Sequence, residues 1–264
     1  MLLDAIPIWV LFVATIAAIL TAIEVGYGRG MALNKRSQDE KESPVSAIAG
    51  AVLGLAAFML AFAFGLVADR YDAKKGLVRE EAIAIRTAWQ RSDFLPEAER
   101  PVAAELLHQY VEKRVAFVEE RNADRAHVQA ALAEMRQLQD RLWDMAVANA
   151  RKDMNSDVAA LYIDSLNEVI GLHVMRVAIG LQARVPSEIW WVLYSITFLG
   201  MMGVGYQTGI SGSKRTLAGP TLAVAFALVF ALIASLDRPD SSVLMISQQS
   251  LVELRDEMAA KVAR

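Results

Sequence analysis

Three histidines, His108, His127 and His173, are spread through the 264 residues, and none stands at a spacing that would hold a metal ion. There is no HExxH, no zinc spacing and no glycine loop of the kind that cradles phosphate. The chain lacks cysteine, which excludes disulfides, thiolate-held iron–sulfur clusters and thiol nucleophiles. Serine, histidine and acidic residues form no local triad pattern. We therefore expect no catalytic residue, no metal, no cofactor and no enzyme activity, and the histidines read as helix-surface or core residues. What remains is charge placed where apolar stretches end. Glu24, near the end of the first such stretch, has the position of a proton or cation site, but Gly26 and Arg29 close by favour an interfacial residue paired locally. Asp69, Arg70, Tyr71 and Asp72 close the second stretch, and Asp237-Arg238-Pro239 closes the last with a local ion pair. Glu80–Glu81 would suit basic residues of a neighbouring subunit, but a solvated helix face explains the pair better. The formal net charge of −3 gives no sign of nucleic-acid binding.

These charges are positioned by the apolar stretches between them. Hydrophobic residues make up 55% of the chain and mean hydropathy is +0.32. The excess is concentrated in Ala5–Ile23, Ser43–Ala68, Ile189–Ser213 and Thr216–Leu236, which are almost free of ionisable residues. Each matches the roughly 20 residues a helix needs to cross a bilayer core, so four spans are expected. The first is no secretory signal, since no basic residue precedes it and no clear small-residue cleavage site follows. The expected class is all-α: spans 1 and 2 in residues 1–69, a soluble helical bundle in 70–186, spans 3 and 4 in 187–236, and an amphipathic tail in 237–264.

Within the bundle, Val78, Ala82, Ile85 and Trp89 recur at helical spacing before Leu95-Pro96 ends the run. Val102, Leu106, Tyr110, Arg114 and Phe117 form the next stripe behind Pro101. Leu132, Met135, Leu138, Leu142 and Met145 form a third. Ser156 suits the N-cap of a helix through Leu161, Leu166, Val169 and Leu172. Pro186 opens span 3, where Trp190 and Trp191 suit a lipid–water interface. Orientation is a near tie. The short loops hold Arg29, Lys35, Arg36, Lys41, Lys214 and Arg215, against Arg70, Lys74, Lys75, Arg79, Arg176, Arg184 and Arg238 on the bundle side. A first helix with no basic residue before it favours an outside N-terminus.

Span 2 carries two distinct faces. Ala47, Gly50, Gly54, Ala57, Ala61, Gly65 and Ala68 form a small-residue stripe, including Gly50-x-x-x-Gly54, against which another helix can pack. Beside it Leu55, Phe58, Met59, Phe62 and Leu66 form a bulky face. That face meets lipid or ordinary packing, or else Phe58, Phe62 and Leu66 form a hydrophobic constriction around an oligomer axis. Asp69 and Arg70 fix where the helix leaves hydrocarbon. It is expected to run on unbroken towards Trp89, joining span 2 rigidly to the bundle. Arg70 is therefore an ion-pathway or interface candidate, as is Glu24.

The segment LAFAFGLVADRYDAKKGLVREEAIAIRTAWQRSDFLPEAER resembles the core of the bacterial bestrophin-like family of uncharacterised membrane proteins. Glu81-Ala82, Arg91 and Leu95-Pro96 match its pattern, and SLDRPDSSVLMISQQSLVELRDEM matches its second hallmark at the end of span 4. Ser241-Ser242 stands where that family usually has glycine shortly after the proline. The resemblance implies a homo-oligomer, a pentamer in true bestrophins, with span 2 lining the pore. It also implies a cytosolic bundle, an inner-membrane location and chloride or another small anion as the ion. The acidic calcium run of true bestrophins is not matched, because Asp237 and Asp240 are too few for six to eight oxygens. The expectation is an ion channel surrounded by membrane lipid. The alternatives are a non-conducting sensor or scaffold, a proton-driven stator component, which would need a partner or an acid deep in the membrane, and, with least support, a secondary transporter.

Overall fold

The computed structural model describes residues 6–35, 42–119, 125–182, 184–212, 217–238 and 246–262. Pro239, Asp240 and Ser241-Ser242, with the loop residues Arg36, Lys41, Lys214 and Arg215, lie outside them. The described residues are helical, without a strand: α1 (Ile8–Asn34), α2 (Glu42–Arg91), α3 (Arg100–Glu119), α4 (Arg125–Ala150), α5 (Asp157–Val177), α6 (Ser187–Ile210), α7 (Ala218–Asp237) and α8 (Gln249–Val262). Prolines set two of the starts. Pro7 and Pro186 stand just before α1 and α6 with ψ of 144° and 141°, and their carbonyls accept the first helical N–H groups. The Ser156 hydroxyl accepts from Ala159 N at 3.2 Å, the expected cap of α5. Leu95, forced extended by Pro96, ends a short 3-10 turn after α2.

α2 is a single helix of 50 residues and runs on past Asp72, where neither Gly nor Pro intervenes before Gly76. At 1.5 Å per residue it is about 75 Å long, over twice a bilayer core, so only its apolar part up to Ala68 can be immersed. Among the described residues five helices, not four, are long and apolar enough to cross a membrane: α1, α2, α6, α7 and the stretch Asp157–Gly180 containing α5. Sequence reading passed over the last because Asp164, Glu168 and Arg176 interrupt it.

The chain divides into two compact units. The first comprises Met1–Tyr71 and Arg184–Leu244. Its helices α1 and α6 cross where both lack side chains. A Cβ on Gly26 would collide with the Met202 carbonyl, and one on Gly205 with the Ile23 carbonyl. A Cβ on Gly209 would stand 2.5 Å from the carbonyl oxygen of Tyr27. The obstructing atoms are backbone, so nothing can give way. Further along, Tyr194 stacks on Phe230 with ring centroids 4.3 Å apart, beside buried Trp190, and its hydroxyl meets Thr15 Oγ1 at 3.0 Å. Trp191 is 75% exposed, whereas Trp190 belongs to the core and not to an interfacial belt.

The second unit comprises Asp72–Ala183 and Met245–Arg264. Its core unites Val78, Ile85 and Trp89 of α2 with Leu106, Leu107 and Tyr110 of α3, Met135 and Leu142 of α4, and Tyr162 and Leu166 of α5. Val102 and Leu161, expected in the stripes, are exposed, and Ala103 and Tyr162 take the core positions. The tail helix is part of this core. Leu251, Leu254 and Met258 of α8 are fully buried in it, and Arg86–Glu257 (2.7 Å) ties α8 to α2.

Candidate functional site

Two places gather unusual residues. The first is the apolar part of α2. At about 100° per residue, Ala49, Ala56, Leu60, Ala63 and Val67 form one face, and it is the buried one. The small stripe lies roughly 120° around from it, and Phe58 and Phe62 lie nearly opposite it. Gly50 and Gly54 have nothing within 4 Å of a built Cβ, and Ala57 and Ala61 are exposed. Among the described residues, this part of the stripe is open. Close helix packing within the chain is found between α1 and α6, on Gly26-x-x-x-Gly30 and Gly205-x-x-x-Gly209. Both motifs were present in the sequence and were missed because they sit at the ends of spans.

Phe58 and Phe62 are 67% and 63% exposed, side by side on the open face. Leu66 departs from them. It is half-buried and packs against the cluster of Leu60, Val67 and Trp190. Each step of four residues overshoots a full turn by about 40°, so the third member has rotated back towards the packed side. Glu24 is exposed on α1, away from any cluster of acids able to hold a metal among the described residues. Arg70 pairs with Asp237 at 3.8 Å. Asp237 Oδ1 also accepts from Val185 N at 2.9 Å, and Arg184 donates to the Asp237 carbonyl. Asp237 thus ties together the end of α7, the residues just before α6 and Arg70 of α2.

The second place was not anticipated. Glu80 is exposed as expected, but Glu81 is fully buried. Arg114 grips its carboxylate with two nitrogens, Nε to Oε1 at 3.0 Å and Nη2 to Oε2 at 3.1 Å. Arg176 Nη1 donates to Oε2 as well, and Tyr110 donates to Oε1 at 3.0 Å. Tyr110 has one proton, spent on Glu81, so its oxygen accepts from Gln139 Nε2 (3.3 Å) and from His173 Nδ1 (3.1 Å). Arg176 Nη2 reaches Gln248 Oε1 at 3.1 Å. Burial opposes ionisation of Glu81, yet the charges and hydrogen bonds of Arg114 and Arg176 hold its carboxyl below the usual value. Burial, then the adjacent carboxylate, pushes the Tyr110 hydroxyl well up.

The Bestrophin-like domain family matches residues 14–251. Among solved structures, a point mutant of a bacterial Bestrophin homolog from Klebsiella pneumoniae is similar, with a TM-score of 0.61 at 13% identity. The similarity covers 94% of this chain and 99% of that one, and at this identity it speaks for the fold. No curated protein matches.

Proposed function

The chain belongs to the bestrophin-like family, and from that premise we propose that it is a membrane channel for a small anion such as chloride. In this reading four helices span the membrane: α1, the apolar part of α2, α6 and α7. α5 belongs to the bundle with α3, α4 and α8, because Asp164 and Glu168 on its exposed side would otherwise face lipid at high cost. Several copies, five by analogy with true bestrophins, surround an axis lined by α2. The membrane is the inner membrane, and the bundle is cytoplasmic.

The observation that carries this is the open surface of α2. One face packs on the chain itself, whereas among the described residues Gly50, Gly54, Ala57, Ala61, Phe58 and Phe62 are open. In a ring, the stripe Gly50, Gly54, Ala57 and Ala61 meets the next copy and Phe58 and Phe62 turn to the axis. The oxygen-poor ring that results would resist ions until it wets. Purified protein imaged as particles should show rings, and in planar bilayers it should pass current carried by anions. Monomers without current overturn the reading. For sidedness, a cysteine replacing exposed Glu97 should resist membrane-impermeant thiol reagents in intact cells, and ready labelling reverses the topology.

A further inference from the structure

The buried cluster around Glu81 has no place in the pore described above, and its composition is unbalanced. One carboxylate faces two guanidinium groups, so Glu81, Arg114 and Arg176 together hold a net positive charge in the bundle core. Its excess charge opposes a further cation placed within it. His173, itself buried, is the side chain able to supply one. We propose that this cluster is a proton-operated latch: taking up a proton at His173 releases Arg176 from Gln248 and frees α8 from the bundle.

The hydrogen-bond pattern fixes where the proton goes. Tyr110 has already donated to Glu81, so the contact to His173 needs an N–H at Nδ1. Neutral His173 therefore carries its proton on Nδ1 and titrates at Nε2. The charged and titratable groups facing it are Glu81 from α2, Tyr110 and Arg114 from α3, Arg136 from α4 and Arg176 from its own helix. Gln139 of α4 and Gln248 before α8 complete the cluster as neutral members. Burial first, then the positive charge of Arg114, pushes the His173 imidazole down to about 4.

The sign follows from that depression. Against an ordinary value of 6.5, the stabilisation from neutral His173 is complete above about pH 6.5 and is lost as pH falls towards about 4. Glu81, also held below its usual value, acts in the same direction at still lower pH.

The weakest strand of the cluster is Arg176. Its side chain is 11% exposed, against 4% for Arg114, so water can receive it when repulsion rises. What it lets go is specific. The Gln248 side chain accepts from Arg176, while the Gln248 backbone carbonyl accepts from Leu251 N (2.9 Å) and Val252 N (3.1 Å), opening α8. One residue thus joins the charge cluster to the first turn of the tail helix.

The test is hydrogen exchange of the full-length protein in nanodiscs, corrected for intrinsic rates, between pH 8 and pH 5. Peptides covering residues 246–262 should open about tenfold more at pH 5 than at pH 8, and those of α3 should change less. His173→Gln, which cannot titrate, should flatten that pH dependence. Gln248→Ala cuts the latch on a half-buried residue and should raise α8 exchange already at pH 8. Exchange of α8 that is flat with pH overturns the proposal, as does a His173→Gln protein with the parental slope. Should His173→Gln fail to fold, Gln248→Ala decides alone: parental α8 exchange at pH 8 sinks the latch. No ion current is needed, so the result stands apart from the channel reading.

Discussion

At the residue scale the molecule is defined by Glu81. A carboxylate removed from water is tolerable only if the protein returns what water gave, and here two guanidinium groups and a tyrosine hydroxyl do so. Removing it leaves Arg114 and Arg176 buried without their counter-charge. Glu81→Ala should therefore destabilise the bundle by about 3–5 kcal/mol, read from unfolding followed by circular dichroism. Replacing Glu81, Arg114 and Arg176 together by apolar residues of similar volume should recover most of that loss. If the triple variant is as unstable as Glu81→Ala, the cluster's worth lies in packing and not in compensated charge. Part of this was legible in the sequence. Glu81 falls among Val78, Ala82 and Ile85 at helical spacing, and Arg114 stands in the stripe with Leu106 and Tyr110. An ionisable residue on an apolar face is a signal of a buried pair. Its partner was not legible, because Glu81 and Arg176 are 95 positions apart and only the folded bundle joins them.

At the scale of elements, helix starts and stops followed from local chemistry, and this is why they were readable. Pro186, Leu95-Pro96 and Ser156 act on their own neighbours and need no tertiary context. Helix pairing was not readable for the complementary reason. A GxxxG motif says that a backbone can be approached, not which helix approaches it, and this chain has three. The one in α2 is open, whereas those in α1 and α6 meet each other. Substitutions separate them. Gly205→Leu drives a side chain into the Ile23 backbone and should abolish folding of the membrane unit, seen as loss of monodisperse protein in detergent. A Cβ on Gly54 meets nothing within 4 Å among the described residues, so Gly54→Leu starts into open space. It should leave the secondary structure intact and shift the assembly towards smaller species. A Gly205→Leu protein that purifies like the parent removes the close crossing, and a Gly54→Leu protein that keeps the parent's oligomer removes the seam.

At the scale of the whole molecule, the question is what an apolar helix surface is for when the chain does not cover it. Lipid covers such a surface without discrimination, so exposure of Phe58 and Phe62 alone decides nothing. Arrangement is more informative. The packed face, the small stripe and the phenylalanine face succeed one another around α2, so a copy docked on the stripe leaves the phenylalanines turned away from the fold's own core. In the proposed ring these phenylalanines face the axis. Leu66, which the spacing by four had grouped with them, is half-buried and packs against the cluster that holds Trp190. The conduction test is sharper for this. Phe58→Ala with Phe62→Ala widens and partly wets the proposed ring, so single-channel conductance or open probability should rise severalfold with the oligomer unchanged. Leu66→Ala instead removes packing and should cost stability, about 2–4 kcal/mol if the cavity does not collapse, with little effect on conduction. Lipid-facing phenylalanines predict the reverse pattern, with currents unaltered in the double variant. If neither the parent nor the double variant passes ions across voltages, pH values and salts, the pore is excluded, and the open faces of α2 belong to a non-conducting assembly.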